Sequence, residues 1–155
     1  MVAISDDKKL YLLDFLDGKH LQKKLQTIKN RFCCEILQSN SAPILSISEE
    51  LRQYFLGALK EFLTPIHMAG TPFQKIAWSA LQKVPYGETI SYTRQAESID
   101  TPKSVRAVAN ANGQNYFAIL IPCHRIISTN GSLGGYSGGI DKKSWLIQHE
   151  KQNNY

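Results

Sequence analysis

The sequence predicts a mixed α/β protein built as two lobes: a small α/β lobe over residues 1–68 and a mainly helical lobe over residues 69–155. Three observations carry this. The chain has 155 residues, enough for one compact domain or for two small lobes sharing an interface. Its first third alternates strand, turn and helix signals. Its second half is punctuated by repeated Thr-Pro and Ser starts and by Pro-Gly stops, which mark short helices. With 43% hydrophobic and 20% charged residues, the composition is that of an ordinary globular protein.

Taken in order, "YLLDFL" (Tyr11 to Leu16) reads as a strand, Asp17-Gly18 as a turn, and His20 to Arg31 as a basic helix. "CCEILQ" is a second strand candidate and "SNSAP" a loop. Ser46 and Glu49 have capping-box spacing ahead of "ELRQYFLGALKEF", in which Leu51, Tyr54 and Phe55 recur at helical spacing. Nothing in this half reads as catalytic. In the second half Thr71 is an N-cap and Pro72 a first helical residue, with Phe73, Ile76, Ala77, Ala80, Leu81 and Val84 as the apolar stripe. "PYGE" ends that helix. Ser91 caps a short helix, and Thr101-Pro102 repeats the Thr-Pro start of another that stops at Gly113. These last two helices, with Lys103 and Arg106 near the start of the second, fit a helix-turn-helix and equally a plain pair of packing helices. Tyr116 to Ile121 reads as a buried strand, Asn130-Gly131 as a turn, Gly134 to Gly139 as a glycine-rich loop, and Asp141 as the cap of a final helix whose inward stripe is Trp145, Leu146 and His149.

Three cysteines without CxxC or other metal spacing argue against a disulfide framework and for a reducing compartment. The N-terminal residues lack the basic-then-apolar pattern of a signal peptide, and no apolar run spans a bilayer, so no membrane partner is expected. Residues 1–70 carry nine Lys/Arg against eight Asp/Glu, and residues 71–155 carry nine against five, so four of the five excess positive charges fall in the second half. Beside a helix pair, that excess is a reason to consider nucleic acid.

Cys123 stands apart from Cys33 and Cys34, which read as inert filler. It ends an apolar run in "ILIPCHRI", at a Pro-marked turn where a thiol is expected to be partly exposed and its thiolate favoured. Adjacent side chains in an extended segment point to opposite sides, so Cys123 and His124 are expected to communicate through a bridging water. Glu150, one turn beyond Leu146 at the edge of the final helix's stripe, is either a surface glutamate or the group that orients His124 and favours its charged form. The glycine-rich loop lacks phosphate-loop spacing, which leaves close backbone approach to a flat ligand as its use.

"GTPFQKIAWSALQKVPYGETISY", "TPKSVRAVANANG", "NYFAILIPCHRII", "GSLGGYSGG" and "SWLIQHE" occur in an order and at spacings that resemble the O6-alkylguanine-DNA alkyltransferases (methylated-DNA–protein-cysteine methyltransferases). The resemblance is dense from about Gly70 to Glu150 and weaker upstream. It implies a ribonuclease H-like N-terminal lobe and a C-terminal lobe with a DNA-binding helix-turn-helix. It implies direct, single-turnover transfer of an alkyl group from O6 of guanine, with O4 of thymine as a further candidate, to Cys123. His124, through water and supported by Glu150, would generate the thiolate. Tyr92 would donate to N3 of the departing base, and Asn115 would brace the turn. The carbonyls of Cys123 and Ile126 would accept from the exocyclic amine, the Ser137 amide would face O6, Tyr136 would pack on the base plane, and Gly135 would line the pocket. Arg106 would fill the space left by a flipped nucleotide, with Lys103, Ser104, Ala107 and Ala109 along the minor-groove face. The implied partner is double-stranded DNA carrying O6-alkylguanine, met by a monomer in the cytoplasm, with no cofactor and no metal.

The sequence departs from the family pattern at four places: Tyr116 stands where Pro is usual after the bracing Asn, Val105 replaces Ala, Ala109 replaces Gly, and Gln95 occupies an apolar helix position. Lesion-binding relatives that do not repair carry Trp in place of the cysteine, and Cys123 argues against that group. Two other classes make different demands. A DNA-binding module without chemistry would not need Cys123, and a Cys-His acyl hydrolase would not need the basic helix pair.

Overall fold

A computed structural model describes residues 1–154. β1 (Val2–Ser5) and β2 (Leu10–Asp14) form an antiparallel ribbon, with a register shift between Ile4 and Ser5. β2 runs through the middle of the molecule, and Leu10, Leu12, Leu13 and Asp14 are all buried. Its far edge is used twice. Leu10 bonds the chain at Pro65 and His67, and Leu13 bonds Tyr116 and Ala118 (Leu13 N to Tyr116 O 2.9 Å, Ala118 N to Leu13 O 2.8 Å). The N-terminal ribbon thereby holds the segment that leads to Cys123.

α1 (Leu21–Phe32) follows the turn at Gly18 as its sequence predicts, and buries Leu21 and Ile28 against Leu12. The strand expected over 33–38 does not form. Cys33 takes the left-handed conformation (φ 48°) at the helix end, both cysteines are exposed, and no strand edge lies alongside to complete a ladder. α2 (Ala42–Phe55) starts five residues ahead of the position that Ser46 and Glu49 suggest. Ser41 is the extended residue before it and Pro43 sits in its first turn, while the Ser46 hydroxyl goes sideways to Thr64 (2.7 Å). The helix also ends earlier than expected, because Gly57 turns the chain at φ 75°.

α3 (Pro72–Gln82) has the predicted cap in full. Gln74 N donates to the Thr71 hydroxyl and Thr71 N donates back to the Gln74 side chain (2.8 Å), a reciprocal capping box. Its inward face is centred on Trp78, which is fully buried and donates from Nε1 to Ala111 O (2.8 Å), whereas Ile76 faces outward. β3 (Ile90–Ser91) leads into α4 (Tyr92–Ser98), capped by Ser91 as expected. Gln95, the polar residue at an apolar position, is wholly buried. Its amide donates to Ala77 O and pairs reciprocally with the Asn112 amide (2.7 and 3.1 Å), tying α4 to α3 and α5 (Val105–Gly113).

α5 begins three residues later than its Thr-Pro signal. Thr101 N bonds back to Ala96 O (2.9 Å), so Thr101 and Pro102 form the turn and leave Ser104 before the helix. Gly113 is its last helical residue and has no left-handed role; Gln114 closes the helix. The apolar run Tyr116–Ile121 is a compact turn rather than a strand: Ile121 N bonds Phe117 O and Ile119 takes φ 74°. Both faces of the run are buried, which is why it reads as a strand. β4 (Ile126–Ile127) pairs parallel with β3. α6 (Ile140–Gln152) is preceded by Gly139 at φ 95°, with Asp141 in its first turn rather than at its cap.

The main core draws on both halves of the chain. Leu10, Leu13 and Ile47 pack with Trp78, Leu81, Phe117, Ile121 and Ile126, and Cys123 belongs to this cluster. No helix of the described residues is long and apolar enough to cross a membrane. Trp78→Ala is expected to cost about 3–5 kcal/mol in urea denaturation, and Thr71→Ala about 1 kcal/mol through loss of the cap. Ser46→Ala should leave the start of α2 unchanged by amide exchange.

Candidate active site

Cys123 opens a single 3₁₀ turn, Cys123–Arg125, between the buried run and β4. Pro122 sets this up. Its φ of −80° and ψ of 60° make an inverse γ-turn, closed by Cys123 N to Ile121 O (2.8 Å), and Arg125 N then returns to Pro122 O (3.0 Å). The tight turn throws three consecutive side chains inward, and Cys123, His124 and Arg125 are all buried. The expectation of a partly exposed thiol is corrected here. Cys123 is 6% exposed, and burial pushes the thiol above its ordinary value despite the Asn115 hydrogen bond and the positive charges of Lys24 and Lys143.

Asn115 bonds the turn at several points. Its amide nitrogen faces Phe117 O (3.2 Å), Ile121 O (2.8 Å) and Cys123 Sγ (3.2 Å), and its oxygen accepts from Phe117 N (2.9 Å). The backbone of Asn115 is held in turn by Lys24, whose ammonium lies 2.6 Å from both Asn115 O and the Asp14 carboxylate. Tyr116 causes no break in this turn. Its carbonyl accepts from Leu13 and its ring packs on Trp78 and Lys24.

His124 is wholly buried, with Nε2 2.8 Å from Glu150 Oε1. Glu150 accepts five hydrogen bonds: from Tyr54, His124 and Arg125 at Oε1, and from Arg125 and the Gly87 amide at Oε2. It is 1% exposed, well inside the molecule rather than at the edge of a stripe. Burial pushes its carboxyl up, yet the hydrogen bonds and charges of His124 and Arg125 outweigh this and hold it at about 2. For His124 burial wins in the other direction: its pKa falls below the ordinary imidazole value although Glu150 pulls it up. Glu150 thus favours the charged form of His124, as expected, but burial outweighs it and the ring is neutral. A permanently ionised acceptor at Nε2 assigns the ring proton to that nitrogen and leaves the Nδ1 lone pair, which has no hydrogen-bond partner among the described residues, as a base.

Around the thiol lie Tyr92 and the loop of Gly134 to Gly139. Tyr92 is half-buried, its hydroxyl 3.5 Å from Gly135 O, and burial followed by the nearby Cys123 raises its pKa. A Cβ on Gly134 would lie 3.3 Å from the Tyr92 ring at a φ of 66°, and one on Gly138 would press on Phe15 and Tyr136 at 2.7 and 2.8 Å, so the loop hugs both aromatics. The Tyr136 hydroxyl is buried without a hydrogen-bond partner among the described residues. Ser137 is half-buried, its carbonyl accepting from Lys19 N. The carbonyl of Cys123 accepts from Ile126 N, and that of Ile126 accepts from Lys143. Arg106, Lys103 and Ala107 are exposed at the start of α5, and Ser104 and Ala109 are half-buried beside them. None of these five touches the Cys123 network through a hydrogen bond or ion pair. The vicinal Cys33-Cys34 does not gather His20 or His67 into a ligand set; His67 stacks on Tyr11 (4.9 Å).

Three contributors escaped the sequence reading. Arg125 clamps Glu150 with two nitrogens and donates a third bond to Val84 O (2.6 Å). Tyr54 reaches Glu150 across 96 positions of sequence. Lys143, fully buried, donates to the carbonyls of Ile126, Leu133 and Gly135, and burial drops it to about 8, opposed by Cys123. One signal was available: Lys143 and Glu150 lie seven residues apart and flank Leu146 and Ile147 on one helix face.

Residues 72–152 match the family model described as "6-O-methylguanine DNA methyltransferase, DNA binding domain". The methylated-DNA–protein-cysteine methyltransferase of Methanosarcina acetivorans is 39% identical over 150 residues, spanning 97% of this chain and 90% of the relative. The chain belongs to the 6-O-methylguanine DNA methyltransferase family. Within that family, the inducible methylated-DNA–protein-cysteine methyltransferase of Bacillus subtilis is 40% identical over 135 residues, 87% of this chain and 75% of the relative. The fold is similar to Mycobacterium tuberculosis OGT in a crystal structure in complex with DNA, with a TM-score of 0.83, 34% identity and coverage of 97% and 86% of the two chains. It is also similar to the O6-methylguanine-DNA methyltransferase of Pyrococcus kodakaraensis strain KOD1, at TM-score 0.72, 28% identity and coverage of 96% and 89%.

The Glu150 site makes a pH prediction for this family member. A carboxyl held near 2 in the folded chain and near 4.5 when unfolded adds stability that is fully present above pH 4.5 and lost as pH falls through 2. Glu150→Gln is expected to destabilise the protein at pH 7 by about 3 kcal/mol, because Arg125 is left buried and unpaired. In urea titrations it should also flatten the loss of stability between pH 4.5 and 2.

Proposed function

We propose that this methylated-DNA–protein-cysteine methyltransferase transfers the alkyl group from O6 of guanine in duplex DNA to Cys123, once per molecule. The observation that carries the reading is the pairing of a buried thiol with a buried imidazole whose carboxylate partner leaves Nδ1 free to take a proton. An ordinary thiol is mostly protonated at neutral pH, and burial makes Cys123 more so, so a base is required. Neutral His124 takes the Cys123 proton, through water, and Glu150 steadies the imidazolium that forms. Sγ then attacks the alkyl carbon: an S–C bond forms and the C–O6 bond breaks. The electron pair goes to the guanine ring, and a proton given by Tyr92 to N3 lets it leave as a neutral base. Tyr92 regains its proton from solvent. The thioether is a poor leaving group, so the protein is consumed.

In this reading Asn115 holds the turn, and Tyr136, Ser137, Gly135 and the carbonyls of Cys123 and Ile126 receive the base. The Ile126 carbonyl already accepts from Lys143 and offers its remaining lone pair. A thiol this deep cannot reach O6 inside a stacked duplex, so the nucleotide is flipped out. α4 and α5 act as a helix-turn-helix, with Arg106 in the vacated space and Lys103, Ser104, Ala107 and Ala109 against the minor groove. The finer assignments rest on the same family resemblance: a ribonuclease H-like first lobe, a boundary at 68/69, O4-alkylthymine as a second substrate, and action on chromosomal DNA in the cytoplasm.

Mixed with duplex DNA carrying one O6-methylguanine, the protein is expected to gain one methylene unit of mass on the Cys123 peptide, saturating at one per chain. Cys123→Ala should gain none. No gain despite tight lesion binding would mean recognition without repair. The rate of transfer should hold from pH 7 to below 6.5, because His124 stays neutral past the ordinary imidazole value, and then fall as it is protonated. His124→Gln should be slow at every pH and lack that acid limb.

A further inference from the structure

A groove of about 560 Å³ runs between α1 of the N-terminal half and the C-terminal half of α5. One wall is the outer stripe of α1: His20, Lys23, Thr27 and Arg31, spaced three to four residues apart and all exposed. The other wall is Gln74 of α3 with Ala109, Asn110, Gly113 and Gln114 of α5. No aspartate or glutamate lines it. Lys24, at its floor, is paired with Asp14, and Arg31 is tethered to Ala69 O (3.1 Å) with its charge unpaired among the described residues. Among the described residues Lys23 makes no ion pair or side-chain hydrogen bond. Ala109 belongs both to this groove and to the face of α5 assigned to the minor groove.

We propose that the groove is a second phosphate track for the same duplex, so that α1 binds DNA backbone beyond the stretch read by α5. The inference rests on the reading of α5 given under Proposed function. α5 is nine residues long, about 13 Å, which matches about four base pairs of duplex rise. DNA laid along it from Arg106 and Lys103 at one end leaves over Gly113 and Gln114 at the other, and Lys23 and Arg31 line the same groove as those two residues. The wall is acid-free and offers small or amide side chains, the chemistry of sequence-independent backbone contact. A polybasic helix face with no carboxylate opposite it would repel itself unless an anion lies there, and the duplex already on α5 supplies one.

The test is the salt dependence of binding to a duplex, with and without one O6-methylguanine, for the full chain. Lys23 is exposed and unpartnered, so Lys23→Ala keeps the fold. It is expected to lower affinity for both duplexes alike, roughly five- to tenfold near 0.1 M salt, and to reduce the slope of log K against log salt by about 1. Lys23→Ala with Arg31→Lys should lose no more slope than Lys23→Ala alone. Lys29→Ala removes a charge from α1 outside the groove and should leave the slope unchanged. An unchanged slope for Lys23→Ala, or an equal fall for Lys29→Ala, overturns the groove while leaving the reading of α5 intact. Failure of the unaltered protein to bind either duplex, or full binding by Arg106→Ala, overturns the reading of α5 and the groove with it.

Discussion

The buried carboxylate of Glu150 is the constraint around which the second half of the molecule is arranged. An ionised carboxylate in the interior is tolerable only when every lone pair is met, and here five donors from three separate regions meet it. Tyr54 brings α2, Gly87 brings the bend after α3, His124 and Arg125 bring the Cys123 turn, and Glu150 itself brings α6. The interaction therefore does two jobs through one set of atoms. It fixes the relative placement of four elements, and it determines which nitrogen of His124 carries a proton.

The thiol is handled differently. Its environment is mostly apolar core, which disfavours the thiolate, and three polar groups work against that: Asn115 at 3.2 Å, and the buried ammonium groups of Lys24 and Lys143. Both lysines are occupied in holding backbone carbonyls, Lys24 at Asn115 and Lys143 at Ile126, Leu133 and Gly135. The same cations that shape the turn and the glycine loop thus supply the positive potential at sulfur. A cysteine kept protonated until a base acts on it is also a cysteine protected from casual oxidation.

What the sequence disclosed was largely what is decided locally. Thr71-Pro72 with Gln74, and Ser91 ahead of α4, are caps whose partners lie within three residues, and both form as read. Pro122-Cys123-His124 is likewise a local turn. Errors arose where a local signal lost to a distant partner. Ser46 spends its hydroxyl on Thr64 instead of capping a helix, and Thr101 turns back to Ala96 instead of starting one. Tyr116–Ile121 is apolar enough for a strand but has its hydrogen bonds taken by Leu13 and by its own turn. Cys33 to Gln38 had the composition of a strand and no edge to join. Arg125, Tyr54 and Lys143 escaped for the same reason: their value lies in groups 8 to 96 residues away. Burial also reversed the expectation of an exposed, thiolate-favouring Cys123, since no motif reveals how dry its surroundings will be.

The place of Glu150 along the chain has a consequence for synthesis. A ribosome emits residues in order, and everything through the glycine loop emerges before α6 does. During that interval the nascent chain carries Cys123 and His124 with neither Glu150 nor Lys143 to arrange them. Both belong to α6, so the full set of contacts on the turn waits for that helix. In the reading proposed above, a chain that reacts only once has its thiol without these partners until α6 is made.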